Sequence, residues 1–307
     1  MDIKKAIAKV VERSDLSENE MVAVMDQIMS GEATDAQIGS FITALRMKGE
    51  SVDEIVGAVR VMRQKATFVD SGVKTDSGEI LMDIVGTGGD GSGTFNVSTT
   101  TSFVVAAAGI PVAKHGNRAI SSKCGSADVL EALGVDLSLG VEDVSRCVQT
   151  VGIGFLFAPM LHGAMKYAIG ARREITMRSI GPMTNPAGAN VQLTGVFSRQ
   201  LTRVIAEVLV RLGMKRTLVV WGEGNLDELT ITGESYIADG HDGKVKEYSI
   251  SPEDFGLRRA TLDEIKGGAT PEEAAAQVRS VLSGAKGARL DMVLLNAGAA
   301  LLAAGPA

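Results

Sequence analysis

Ile80-Leu81-Met82-Asp83-Ile84-Val85 leads directly into Gly86-Thr87-Gly88-Gly89-Asp90-Gly91-Ser92-Gly93. A short apolar run ending in clustered glycines reads as a buried strand delivered to a tight loop with an exposed backbone. Downstream, Thr99–Ala108 has the makings of a helix and Pro111-Val112-Ala113 reads as the next strand. Ser126–Leu133 and Val141–Val151 read as helices, and Ile153–Phe157 as a strand. Val191–Phe197, a helix through Arg203–Leu212, and Thr217–Trp221 extend the rhythm, with further helices over Pro271–Leu282 and Asp291–Ala304. Strands alternating with helices imply βαβ units and a mostly parallel sheet.

Upstream the period is helical throughout. Ile3, Ala6, Ile7, Val10 and Val11 form one apolar stripe. Ser17 with Glu20, Thr34 with Gln37 and Ser51 with Glu54 have the spacing of capping boxes, each before an apolar run. The chain therefore reads as a small all-helical domain over residues 1–68 and a larger α/β domain over 69–307. Helices from about 160–185 are expected to join the first.

Composition bounds the function. The chain has 307 residues, and 31 Lys and Arg against 37 Asp and Glu give a formal net charge of −6. That balance argues against non-specific nucleic-acid binding. Thr94–Ala113 and Val148–Met165 lack charged residues, but Gly and Pro interrupt both, so no membrane span is expected. Cys124 and Cys147 make no disulfide framework and read as reduced thiols in a cytoplasmic protein.

The loop fits G-x-G-x-x-G after a strand, the spacing of a dinucleotide site. Such a site also needs an acidic residue about 20 positions on. Here the 37 residues from Gly91 to Ala127 contain no Asp or Glu, while Lys114, Arg118 and Lys123 lie among them with the hydroxyls of Thr94, Ser98, Thr99, Ser121 and Ser122. The strip reads as positive and suited to a polyanion. Glycine loops and helix N-termini bring amide N–H groups close to phosphate. Lys114-His115-Gly116-Asn117-Arg118 follows the next strand and is expected as a second loop at the same sheet edge. The plain alternative is a tight βα turn without a ligand.

Asp227-Glu228 follows the strand Thr217–Trp221. Adjacent carboxylates at a strand end suit a hard cation such as Mg²⁺ shared with phosphate, or else form a solvated acidic turn. His115, His162 and His241 have no zinc-ligand spacing. His162 fits a packed helix start as well as a substrate contact, and His241 reads as exposed in a polar turn, Asp239–Gly243. Arg172-Arg173 reads as a basic helix face or a carboxylate clamp. Neither a nucleophile elbow nor an activated cysteine is present in the sequence.

Gly86–Asp90 (GTGGD), Asn96-Val97-Ser98-Thr99, Lys114–Asp128 (KHGNRAISSKCGSAD), Gly181–Pro186 (GPMTNP), Leu226–Leu229 (LDEL) and Leu294–Gly298 (LLNAG) together closely resemble the anthranilate phosphoribosyltransferases. The order is that of the family over nearly the whole chain. The resemblance implies a helical domain on an α/β domain with the active site in the cleft between them. It implies transfer of phosphoribosyl from phosphoribosyl pyrophosphate to the amine of anthranilate in tryptophan biosynthesis, with Mg²⁺, by a homodimer formed through the helical domain. Carried over by motif, Gly86, Gly89, Asp90, Thr94, Asn96, Val97, Ser98, Thr99, Lys114, His115, Gly116, Asn117, Arg118, Ala119, Ile120, Ser121, Ser122 and Ser126 would bind phosphoribosyl pyrophosphate. Gly86, Asn117 and Arg172 would face anthranilate, and Ser98, Asp227 and Glu228 would serve the metal. Ile175–Ile180 stands where the family has a longer stretch, and the chain ends at Ala307, about one helix earlier than expected. Cys124 stands at a commoner serine. The alternative left open by the short segment is a non-catalytic or altered-acceptor homologue, such as another phosphoribosyltransferase or a nucleoside phosphorylase.

Overall fold

Ser17, Thr34 and Ser51 each accept the N–H three residues on, and Glu20, Gln37 and Glu54 accept the N–H of the cap in return, in the computed structural model of the chain. Each reciprocal pair satisfies two otherwise orphaned donors. These boxes start α2 (Glu18–Met29), α3 (Asp35–Lys48) and α4 (Val52–Lys65), while α1 (Ile3–Val11) is capped by Asp2. In α1 the expected stripe is narrower than the sequence suggested: Ile3, Ala6 and Val10 are buried, but Val11 is 65% exposed. A side chain at Gly57 would meet the Glu18 carbonyl at 2.7 Å, so α2 and α4 approach at glycine distance.

The structure describes residues 1–119, 124–167 and 180–305. It divides into two units, Met1–Thr67 with Pro159–Pro186, and Phe68–Ala158 with Ala187–Ala307. In the helical unit Glu54 is fully buried. Its carboxylate accepts from Leu16 N–H at 2.9 Å, Ser51 N–H at 2.7 Å and Lys48 Nζ at 2.8 Å.

The α/β unit carries β1 (Met82–Gly86), β2 (Val112–Gly116), β3 (Ile153–Phe157), β4 (Val191–Gly195), β5 (Arg216–Gly222), β6 (Ser235–His241) and β7 (Lys244–Ile250) in the order β3-β2-β1-β4-β5-β6-β7. The first five are parallel neighbours, and β6 and β7 are antiparallel. α5 (Val97–Ala107), α6 (Ser126–Ala132), α7 (Val141–Val151), α8 (Ala158–Leu161), α9 (Gln200–Arg211), α10 (Pro271–Leu282) and α11 (Ala288–Ala304) complete the described helices. α5 and α11 pack on each other and over β1 to β5, and α9 covers β5 to β7. Met82, Ile84, Val112, Leu193, Leu218, Val220, Met292 and Val293 belong to one continuous core.

Three sequence readings need correction. Lys114, His115 and Gly116 lie within β2, not in the loop after it, and Lys114 and His115 are buried. The helix after the glycine loop starts at Val97, two residues early, so Val97 and Ser98 form its first turn. The supposed polar turn Asp239–Gly243 is mostly strand. Asp239 is buried and takes two bonds from the Arg216 guanidinium at 2.7 and 3.1 Å, so a charged residue is stable in β6. Only Asp242 and Gly243, with φ of +49° and +74°, make the hairpin turn.

Candidate functional site

The carboxyl ends of β1 and β4 meet at the register pair Gly86↔Gly195. Ligands in open α/β sheets bind outside such strand ends, where the chain order switches direction. Across both glycines runs the segment carrying Asp227. A Cβ at Gly86 would collide with the Asp227 carboxylate, and one at Gly195 with the Asp227 main-chain carbonyl. Glycine at both positions is a condition for this crossing.

The segment follows β5 through a turn closed by Leu226 N–H on the Gly222 carbonyl at 3.0 Å, with Asn225 at φ +65°. It is then pinned from beneath. Asn296, fully buried on α11, accepts Leu229 N–H at 3.1 Å and donates to the Leu229 carbonyl at 2.8 Å and the Met292 carbonyl at 2.9 Å. This gives Asn296 of the LLNAG motif a role that sequence alone did not assign. The available signal was an amide side chain within an otherwise apolar helix.

So held, the acid pair faces the glycine loop. Asp227 Oδ2 accepts Gly88 N–H at 2.7 Å, and Glu228 Oε1 accepts Ser98 N–H at 3.1 Å. Ser98 stands in the first turn of α5, whose cap residue Asn96 makes no side-chain cap bond. Glu228 therefore supplies the acceptor at the amino end of that helix that its cap residue does not. Asn96 instead reaches the Cys124 carbonyl with its Nδ2 at 3.2 Å. Burial and then the nearby Asp90 charge push Asp227 up to about 7. Burial and the Asp227 charge push Glu228 well above the ordinary range, against the pull of Lys114 and the Ser98 N–H. Bonded to a loop amide and a helix amide, the pair is not a free acidic turn.

Lys114 is 3% exposed and donates Nζ to the Ile84 carbonyl at 2.7 Å and to Ser98 Oγ at 3.4 Å. Burial lowers its pKa, while Asp83, Glu228 and Asp227 oppose that shift. Asp83, fully buried on β1, takes the His115 N–H at 3.0 Å with its side chain. The β1/β2 register records one pair, Met82↔Val112, where β1/β4, β2/β3 and β4/β5 run for five. Asp83 and Lys114 side chains thus bridge strands that backbone bonds bridge elsewhere. Sequence reading passed over Asp83 as one residue of an apolar strand, although a carboxylate in that setting was itself the signal.

Around the loop, Gly88, Gly89, Gly91 and Gly93 all hold positive φ. Asp90 accepts from Ser92 N–H at 3.3 Å and Ser92 Oγ at 2.5 Å, and Thr94 Oγ1 lies 3.3 Å from Ser92 Oγ. After β2, the Asn117 carbonyl accepts Ser126 Oγ and Ala127 N–H, both at 3.2 Å. Asp128 accepts Ala119 N–H at 3.0 Å and Gly125 N–H at 2.8 Å. Arg118 is paired with Asp128 and Glu131, each at 2.9 Å, and its guanidinium lies 5.8 Å from the Phe157 ring centre. The strip without acids is therefore not a bare positive surface, because Asp128, Glu131, Asp227 and Glu228 fold back on it. Burial pushes the Cys124 thiol up to about 11, which makes it a poor nucleophile.

Ile120, Ser121, Ser122, Arg172 and the short stretch up to residue 179 lie outside the described residues. His162 is buried in the helical unit, and His241 pairs with Asp242 at 3.0 Å. Among the described residues no three His, Cys, Asp or Glu side chains cluster as a metal site. Two adjacent, half-buried carboxylates fit Mg²⁺, which keeps waters and takes further oxygens from a phosphate ligand. No described helix is long and apolar enough to cross a membrane.

Comparison with known proteins agrees with this geometry. Residues 4–66 match the profile of the glycosyl transferase family helical bundle domain, and 78–307 that of the family's a/b domain. The chain is 71% identical to the anthranilate phosphoribosyltransferase of Desulfotalea psychrophila over 99% of its own length and 88% of that protein's. The crystal structure of the Thermus thermophilus enzyme of the same name superposes with a TM-score of 0.90 at 44% identity, covering 98% of this chain and 89% of that one. The Saccharomyces cerevisiae enzyme in complex with PRPP and Mg gives 0.85 at 26% identity, covering 98% and 88%.

Proposed function

Since the chain belongs to the anthranilate phosphoribosyltransferase family, we propose that it transfers phosphoribosyl from phosphoribosyl pyrophosphate to the amine of anthranilate, with Mg²⁺. The observation that carries this reading is the half-buried pair Asp227-Glu228, held against the Gly88 and Ser98 amides beside the buried Lys114. Relatives named for the anthranilate reaction favour it over a non-catalytic or altered-acceptor reading.

In the reaction the amine nitrogen forms a bond to C1 of the ribose as the bond from C1 to pyrophosphate breaks, and the amine loses a proton. Positive charge grows on the ribose and negative charge on the leaving group. Glycine-loop amides from Gly86 to Thr94, the start of α5 and Lys114 surround the second charge with preorganised donors. Asn96, Val97, Ser98 and Thr99 line that helix start, and His115 to Ala119 with Ser126 form the second wall of the phosphoribosyl site. Asp227 and Glu228 would hold Mg²⁺ with Ser98 nearby, and the ion supplies Lewis-acid stabilisation of the departing pyrophosphate. Asn117, Gly86 and Arg172 orient anthranilate, Arg172 through its carboxylate. Holding amine and C1 at reacting distance contributes the rest. No covalent nucleophile is required, in keeping with the quiet Cys124 thiol.

We place the enzyme in the cytoplasm as a homodimer formed through the helical unit, where Val11 and Met47 are 65% and 73% exposed. The direct test follows the loss of anthranilate fluorescence with phosphoribosyl pyrophosphate and Mg²⁺. Turnover that stops on chelation is expected, and folded protein without turnover would overturn the reading.

A further inference from the structure

The carboxylates of Asp227 and Glu228 sit where an anionic ligand would be received. Gly88 N–H belongs to the glycine loop and Ser98 N–H to the start of an eleven-residue helix, and each already donates to a carboxylate of the acid pair. Both amides adjoin a threonine left unsatisfied. Thr87 Oγ1 and Thr99 Oγ1 are buried and have no partner among the described residues, and Thr99 is only 1% exposed.

Two occupants thus compete for the same donors. An anion arriving alone meets amides already engaged by two carboxylates that it would have to displace without offering them a partner. A cation alone finds the carboxylates tied to amides. When anion and cation arrive together, the carboxylates turn to the cation and the amides to the anion, so every donor and acceptor keeps a partner.

We propose that Asp227 and Glu228 are specificity-determining residues that exclude metal-free anions: they stand in for the diphosphate on the Gly88 and Ser98 amides and yield only to a diphosphate bound with its divalent cation. The consequence is rejection of uncomplexed phosphates by a site otherwise built to attract them. This rests on reading the edge as a diphosphate site.

The experiment is calorimetric titration of the full chain with inorganic pyrophosphate, in chelator and in Mg²⁺. Wild type is expected to bind with Mg²⁺ and only weakly without it. Glu228→Gln, or Asp227→Asn should the first variant fold poorly by circular dichroism, is expected to bind metal-free pyrophosphate roughly tenfold or more tightly than wild type, the scale of one charge-assisted hydrogen bond released. An unchanged or weaker metal-free affinity in both acid-pair variants overturns the proposal. Wild type that binds no pyrophosphate even with Mg²⁺ overturns the diphosphate reading itself, which separates the two failures.

Discussion

The main-chain carbonyl of Asp227 rests on Gly195 with no space for a β-carbon between them. Because Gly195 is also the register partner of Gly86, one methyl group at 195 would lift the acid pair off both strand ends. Gly195→Ala is therefore expected to leave the sheet folded and to lower kcat/KM for phosphoribosyl pyrophosphate by up to roughly a hundredfold, the scale of an ångström-sized misplacement. Steady-state kinetics with circular dichroism would check this, and wild-type kinetics would show that the segment has freedom to move.

Asn296 holds Leu229 by both its N–H and its carbonyl. Asn296→Ala leaves these two backbone groups without their side-chain partner, at a cost of about 1–3 kcal/mol each. Beyond lost stability, the Mg²⁺ concentration for half-maximal rate should rise while the anthranilate KM stays near wild type. A uniform fall in kcat with an unaltered Mg²⁺ requirement would show Asn296 to be merely structural.

Asp227 makes stability depend on pH in an unusual direction. Its native value of about 7 lies above the ordinary 3.8, so between those values the folded chain keeps a proton that the unfolded chain has released. Raising the pH through this window therefore removes native stability. In metal-free buffer, Tm should fall between pH 4 and pH 7 more steeply for wild type than for Asp227→Asn. Equal slopes in thermal melts would contradict the assignment.

In the helical unit, Glu54 gathers three donors in full burial and Lys48 is nearly as buried. Glu54→Ala leaves the Leu16 and Ser51 amides without their acceptor, while Lys48 keeps Asp15 and the Gly49 carbonyl, and should destabilise that unit by about 1–3 kcal/mol for each amide left unsatisfied. Chemical denaturation read by a probe within residues 1–67 would measure it.

Arg172, assigned from motif, is expected to act on anthranilate alone. Arg172→Ala should raise the anthranilate KM severalfold or more and leave that of phosphoribosyl pyrophosphate nearly unchanged. Equal effects on both would remove it from the acceptor site.

Periodicity and capping chemistry carried most of the architecture, because they are local. Ser17, Thr34 and Ser51 announce their helices within four residues, and the strand before Gly86 is fixed by its own apolar run. The β6–β7 hairpin was missed although Asp242-Gly243 is a strong turn signal, because Asp239 looks like loop until Arg216 is known to face it. The site divides the same way. The glycine loop, Lys114 and Asp227-Glu228 could be found by chemistry and spacing. That Asp227 crosses Gly195, that Asn296 grips Leu229 and that Arg118 is neutralised are relations between residues distant in sequence, and nothing local encodes them.

The gap between β1 and β2 is spanned by Asp83 on the His115 amide and Lys114 on the Ile84 carbonyl. Main-chain ladder bonds survive almost any substitution, whereas these two links vanish with one codon change. The spacing of the two ligand loops thus depends at position 83 on a side chain that stands outside both loops. A lineage can retune how widely this edge stands open while every residue that would touch the ligand's far end stays the same.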